Sequence, residues 1–99
     1  IIALKEPEQK ILAMLSKQMG EMLKLKLLME DGATQEQINQ YFQGKHPYAL
    51  KIMSQQASGM SVEFLRNMLG KCIEAEEDYK KGLIEPKLAL ELLLEKIRL

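Results

Sequence analysis

Apolar residues along this chain recur at spacings of three and four, and no segment alternates apolar and polar residues as a half-buried strand does. Over residues 7–31, Ile11, Leu15, Met22 and Met29 fall on one helical face, flanked by Leu12, Met19 and Leu23 on one side and by Met14 and Leu25 on the other. This predicts a long first helix. Pro7 fits its first turn, Glu6 and Glu8 suit the positive end of its dipole, and Gly32 fits its stop. Gly20 falls inside it, at a cost of up to about 1 kcal/mol relative to Ala, and is expected to mark a bend or a close helix crossing. Thr34 and Gln37 have the spacing of a capping box, opening a short helix that turns Ile38, Tyr41 and Phe42 inward and ends at Gly44. His46 and Pro47 then start a third helix, with Pro47 at its first position and Tyr48, Leu50, Ile52 and Met53 as its apolar contacts. After a break at Ser58, Gly59 and Met60, Ser61 caps a fourth helix in which Phe64, Leu65, Met68, Cys72, Ala75 and Tyr79 form a buried seam. Gly82 ends that helix and Pro86 opens the fifth. The fold class expected is all-α, a bundle of five helices in a single domain over residues 1–99, with no internal repeat and no linker long enough to divide it.

The fifth helix carries the most apolar surface. At about 100° per residue, Leu90, Leu93, Leu94 and Ile97 share one face, and Leu88, Leu92 and Leu99 lie roughly opposite. Two arrangements satisfy this pattern: a central helix enclosed by its own domain, or a helix whose second face is covered by another molecule.

The charges direct attention to the second arrangement. Fourteen basic and fourteen acidic side chains cancel and are interspersed, so nothing at whole-chain level suits nucleic acid, an anionic membrane or an acidic substrate, and the expected partner is a protein. A lone cysteine, Cys72, excludes an internal disulfide and fits a reducing cytoplasm. No apolar run reaches the roughly 18 residues of a membrane span, and no basic-then-apolar leader opens the chain. The chain begins at Ile1 without Met and enters a helix almost at once, as expected of a piece of a longer protein with domains upstream.

Candidate chemistry is sparse. Zinc requires three or four closely spaced ligands, and one His and one Cys on different helices do not supply them. His46 reads as a helix-start residue and Cys72 as a packing group within an apolar seam. Glu74, Glu76, Glu77 and Asp78 point in several directions around one helix, which fits a solvated surface better than a cation site. The six glycines form no phosphate-binding string, and the seven methionines lie on the same stripes as Leu and Ile, as core-filling residues would. No catalytic, cofactor or metal site is therefore expected. Residues 34–56 do have the outline of a helix-turn-helix, in a stretch free of acids from residue 37 to 62, which makes Lys45, Tyr48, Lys51 and Gln55 the alternative DNA contacts. Two lysines without an arginine are thin provision for phosphate and base recognition, so a structural helical hairpin is the preferred reading.

The order of these signals carries a resemblance. The series ILAMLSKQM, ATQEQINQYFQGKHPYALKIMSQQA, SVEFLRNMLGKCIEAEEDYKKG and EPKLALELLLEKI resembles the C-terminal domain of the delta subunit of bacterial DNA polymerase III, over nearly the whole chain from Pro7. Its sharpest parts are His46 and Pro47 at a helix start, and Gly82, Pro86 and the run from Leu88 to Leu93. The resemblance implies a collar domain of the clamp loader, the machine that opens the ring-shaped sliding clamp and places it on primed DNA. It implies a non-catalytic, cytoplasmic subunit of a DNA-directed DNA polymerase complex, working in the nucleoid-associated replication machinery. The implied partners are the collar domains of the gamma/tau and delta-prime subunits. The sliding clamp would be met only through AAA+-like domains upstream, and ATP would be bound by partner subunits. On this reading Leu88, Leu92 and Leu99, with Lys96, form the subunit interface. The sequence departs from the family pattern at Met19 and Gly20, where an aromatic-Arg pair is usual, and near residues 57–59, where basic residues are usual. Both departures remove charge from a DNA-facing surface, and contact of this domain with DNA is not expected.

Overall fold

The structure is a computed structural model that describes residues 7–96, in which five helices follow one another: α1 (Pro7–Glu30), α2 (Gln35–Tyr41), α3 (Pro47–Ser58), α4 (Val62–Lys80) and α5 (Pro86–Lys96). The described residues contain no strand, so the all-α, five-helix class expected from the periodicity is the one observed. Glu6, Ile97 and Leu99 lie outside the described residues.

Local chemistry sets the helix limits. α1 runs through Gly20 without interruption and stops at Gly32, whose φ of +81° places it in the left-handed region. There the Gly32 N–H donates to the Met29 carbonyl at 3.1 Å and the Ala33 N–H to the Leu28 carbonyl at 2.9 Å, which satisfies two carbonyls of the last turn. α4 ends in the same way, with φ +77° at Gly82 and donation from the Gly82 and Leu83 N–H groups to the Tyr79 and Asp78 carbonyls, each at 3.0 Å. The helix starts are capped by side chains. Thr34 Oγ1 accepts from the Gln37 N–H at 3.2 Å while Gln37 Oε1 accepts from the Thr34 N–H at 2.9 Å, the reciprocal pair expected of a capping box. His46 Nδ1 accepts from the Tyr48 N–H at 3.1 Å in front of Pro47, and Ser61 Oγ accepts from the Phe64 N–H at 3.0 Å. Pro86 takes the first position of α5.

The chain divides into two compact units, one of Ile1–Met19 with Asn67–Leu99 and one of Gly20–Arg66, and the divisions fall inside α1 and α4. In the first unit Leu12, Cys72, Ala75, Ala89 and Leu93 are buried, with Leu15, Met19, Tyr79, Ile84 and Leu90 packed around them. In the second, Met22, Leu25, Ile38, Phe42, Leu50, Ala57 and Leu65 are buried, and Leu23, Leu28, Met29, Ala33, Met53, Met60 and Phe64 surround them. Most methionines thus do fill core positions, while Met14 is half exposed.

Four apolar residues stand elsewhere than their spacing suggested. Ile11 is exposed because the sealed position of α1 in the first unit is Leu12, about 100° around the helix from it, while Leu15 and Met19 on the side between are only partly buried. Tyr41 is exposed because Ile38 and Phe42, one turn apart, take the inward positions of α2; its ring rests edge-on against Phe42 at 5.0 Å, leaving the hydroxyl in water. Tyr48 and Ile52 are also exposed, because Leu50 and Ala57 define the buried side of α3 and the other two lie across the helix from them.

Candidate functional site

α5 has an interior face built on Ala89 and Leu93, both essentially sealed from solvent, with Leu90 packed beside them. Leu88 is 44 % and Leu92 45 % exposed. These two leucines, one turn apart, therefore share a side of the helix that the first unit leaves largely open. Leu94 is also exposed, since one residue beyond Leu93 is a step of about 100° away from the buried face. Lys96 ends the helix with its side chain in solvent, and its carbonyl accepts from Lys71 Nζ at 3.3 Å, which joins the C-terminal turn of α5 to α4. Leu99 belongs to the same sequence stripe but lies outside the described residues.

Two further exposed apolar residues of this unit, Ile73 and Leu83, were not singled out by the spacing. Ile73 follows Cys72 on α4 and so points out of the seam, while Leu83 follows the glycine that stops α4, where the backbone rather than the periodicity sets direction. Fully covering a leucine is worth about 1.5–3 kcal/mol, so Leu88 and Leu92 retain a substantial driving force for association.

In the second unit, Tyr48, Lys51 and Gln55 lie together on the exposed side of α3. Lys45 precedes them in the turn after α2, and its Nζ is 2.7 Å from Glu21 Oε2. That cation is engaged within the unit.

The groups that could carry chemistry are accounted for by structure. Cys72 is 2 % exposed, and its thiol pKa is raised from the ordinary value of 9.0 by burial and, secondarily, by the nearby Glu76 carboxylate, so it is held as the unreactive thiol. The His46 imidazole is a helix cap through Nδ1. Glu76 and Glu77 face Lys80 and Lys81 one turn along α4, at 3.5 and 3.9 Å. Among the described residues no three His, Cys, Asp or Glu side chains converge as a metal site would require, and no helix is long and apolar enough to cross a membrane. A shallow depression lined by Leu28, Asp31, Gly32, Ala33 and Gln37 follows the turn from α1 to α2 and brings together no acid-base pair.

No curated protein and no solved structure matches this chain. The family model described as DNA polymerase III delta subunit, C-terminal domain, matches residues 1–97. With a match over nearly its whole length, the chain belongs to the family formed by the C-terminal domains of DNA polymerase III delta subunits.

Proposed function

We propose that the chain is an assembly module without chemistry of its own: the collar domain of a clamp-loader delta subunit, which helps to hold together the machine that places the sliding clamp on primed DNA. The observation that supports this reading is the exposed pair Leu88 and Leu92 on a helix whose Ala89 and Leu93 are buried. A soluble helix with a leucine pair on its open side loses free energy by leaving it in water, and a neighbouring helical domain recovers that energy. Lys96 borders the pair and supplies a rim cation, and Leu99 continues its spacing in the sequence. The partners that fit are the collar domains of the gamma/tau and delta-prime subunits. ATP belongs to those partners, and the clamp to AAA+-like domains preceding this one. The setting is the cytoplasmic replication machinery.

The test is a pull-down of the other loader subunits by the purified domain, with Leu88→Asp and Leu92→Asp variants beside the wild type. A buried leucine at the centre of such an interface is worth about 2 kcal/mol or more, so capture should fall sharply in either variant. Failure of the wild-type domain to capture any loader subunit would overturn the collar reading, and capture that survives both substitutions would remove α5 from the interface.

A further inference from the structure

Among the helices whose start is closed by a side chain, α3 differs in the chemistry of its cap. Thr34 and Ser61 close α2 and α4 with hydroxyls, which keep their acceptor lone pairs at any ordinary pH. α3 is closed by the imidazole of His46, the one histidine of the chain. An imidazole nitrogen accepts a hydrogen bond only while it carries no proton, and imidazole is the side chain that ordinarily changes charge between about pH 5 and 8.

The first turn of α3 depends on this residue twice. Pro47, at the first position, has no N–H to satisfy, so the next donor is that of Tyr48, which goes to His46 Nδ1 at 3.1 Å. The Leu50 N–H goes to the His46 carbonyl at 3.1 Å, and Leu50 is sealed in the core of the second unit. His46 itself is exposed, so protons reach the ring from solvent. With Nδ1 as acceptor, the neutral ring carries its proton on Nε2. Protonation turns Nδ1 into a donor that faces the Tyr48 donor, and it sets a positive charge at the positive pole of the helix. The charged groups nearby do not compensate. Lys45 adjoins His46 in the turn, with its cation on Glu21 of α1, and Lys51 follows on α3. Residues 37–62 contain no Asp or Glu, and among the described residues no carboxylate is ion-paired with the imidazole.

We propose that His46 is a pH-sensitive clasp on α3: as the neutral imidazole it closes the first turn, and on protonation it releases the Tyr48 N–H and loosens the turn that carries Leu50 into the core. The closed turn excludes a proton that the open turn accepts, so the stability it contributes is fully present at the alkaline end of the imidazole range and is lost as pH falls through that range. The clasp acts within the second unit and does not depend on α5.

Nitrogen-15 NMR of the full chain, titrated from about pH 8 to about pH 5, tests this. At the alkaline end the ring is expected as the Nε2–H tautomer. As the imidazole titrates, the Tyr48 amide shift should move with the same midpoint. Its solvent exchange, corrected for the intrinsic pH dependence, should rise about fivefold, the loss expected for a missing N-cap. The Gln37 and Phe64 amides, held by hydroxyls, should not follow. His46→Asn caps without titrating and should keep the Tyr48 amide protected throughout, whereas His46→Ala should leave it unprotected at every pH. Unchanged amide shifts outside the first turn of α3 report an intact fold in both variants. An Nδ1–H tautomer at the alkaline end, Tyr48 exchange that ignores the imidazole titration, or the same pH response in His46→Asn would each overturn the proposal.

Discussion

Lys45 Nζ stands 2.7 Å from Glu21 Oε2, tying the turn before α3 to α1 within the second unit. The lysine side chain is about a third exposed and the glutamate less so, which limits the worth of the pair through solvent screening. Glu21→Gln is expected to lower stability by no more than about 1 kcal/mol, with a smaller loss in high salt. Urea denaturation of both proteins at two ionic strengths checks this.

Two glycines of the first unit should respond to alanine with opposite signs. Gly70 lies in the interior of α4, where an added Cβ meets nothing within 4 Å, so Gly70→Ala should stabilise by about 0.5–1 kcal/mol through helix propensity. Gly82 also has open space around it, but its φ of +77° penalises any Cβ, and Gly82→Ala should cost about 1–2 kcal/mol. Thermal melts of the two variants separate space from backbone conformation.

Cys72 makes stability depend on alkaline pH. Its pKa is higher in the folded chain than in the unfolded one, so the folded state binds more protons once the unfolded thiol begins to ionise. The associated stability is fully present below the ordinary thiol value of 9.0 and declines as pH rises past it toward the raised value. Cys72→Ala should flatten the alkaline limb of the stability profile relative to wild type. Alkylation of the native thiol is expected to be slow and to accelerate with denaturant, since only opening exposes the sulfur.

Neighbouring leucines on α5 should separate folding from association. Leu93 is buried among Leu12, Cys72, Ala75 and Ala89, and Leu93→Ala should cost about 2–5 kcal/mol. Leu92→Ala removes a half-exposed side chain and should cost about 1 kcal/mol or less. Denaturation midpoints measured side by side check the ranking, and equal losses at the two positions would show that α5 faces its core differently.

What could be read in the sequence was whatever depends on a few adjacent residues. Thr34 with Gln37, His46 with Pro47, Ser61, and the glycines at 32 and 82 fixed helix ends because caps and left-handed stops are local chemistry. That α5 has two apolar sides was equally legible, since Leu88 and Leu92 cannot share the face of Leu93 on an α-helix. Whether the domain itself enclosed the second side was not, and only the packing leaves Leu88 and Leu92 exposed. The inward direction of a short helix was less legible. Apolar residues at Tyr48, Leu50, Ile52 and Met53 surround α3, and only the packing of Leu50 and Ala57 into the core decides which side is inside. An alanine, Ala57, proved the better marker of that side than a tyrosine, because a small residue admits close approach whereas a phenol is content half in water. The division of the apolar residues into two clusters was illegible for a different reason: it falls inside α1 and α4, where no composition shift marks it.

The thioethers that fill the two cores give the chain a chemical clock. Unbranched methionine adapts to irregular gaps, but one added oxygen converts it from an apolar filler into a polar group. Met14, on the surface, takes up that oxygen at little structural cost, while Met22 belongs to the buried apolar cluster of Leu25, Ile38 and Leu50. Oxidant is therefore expected to reach the exposed Met14 first, the partly exposed methionines next and the buried Met22 last. A sulfoxide at Met22 would put a polar oxygen into the apolar core of the second unit, so oxidation there is expected to lower stability and, in turn, to open the other core sulfurs to oxidant.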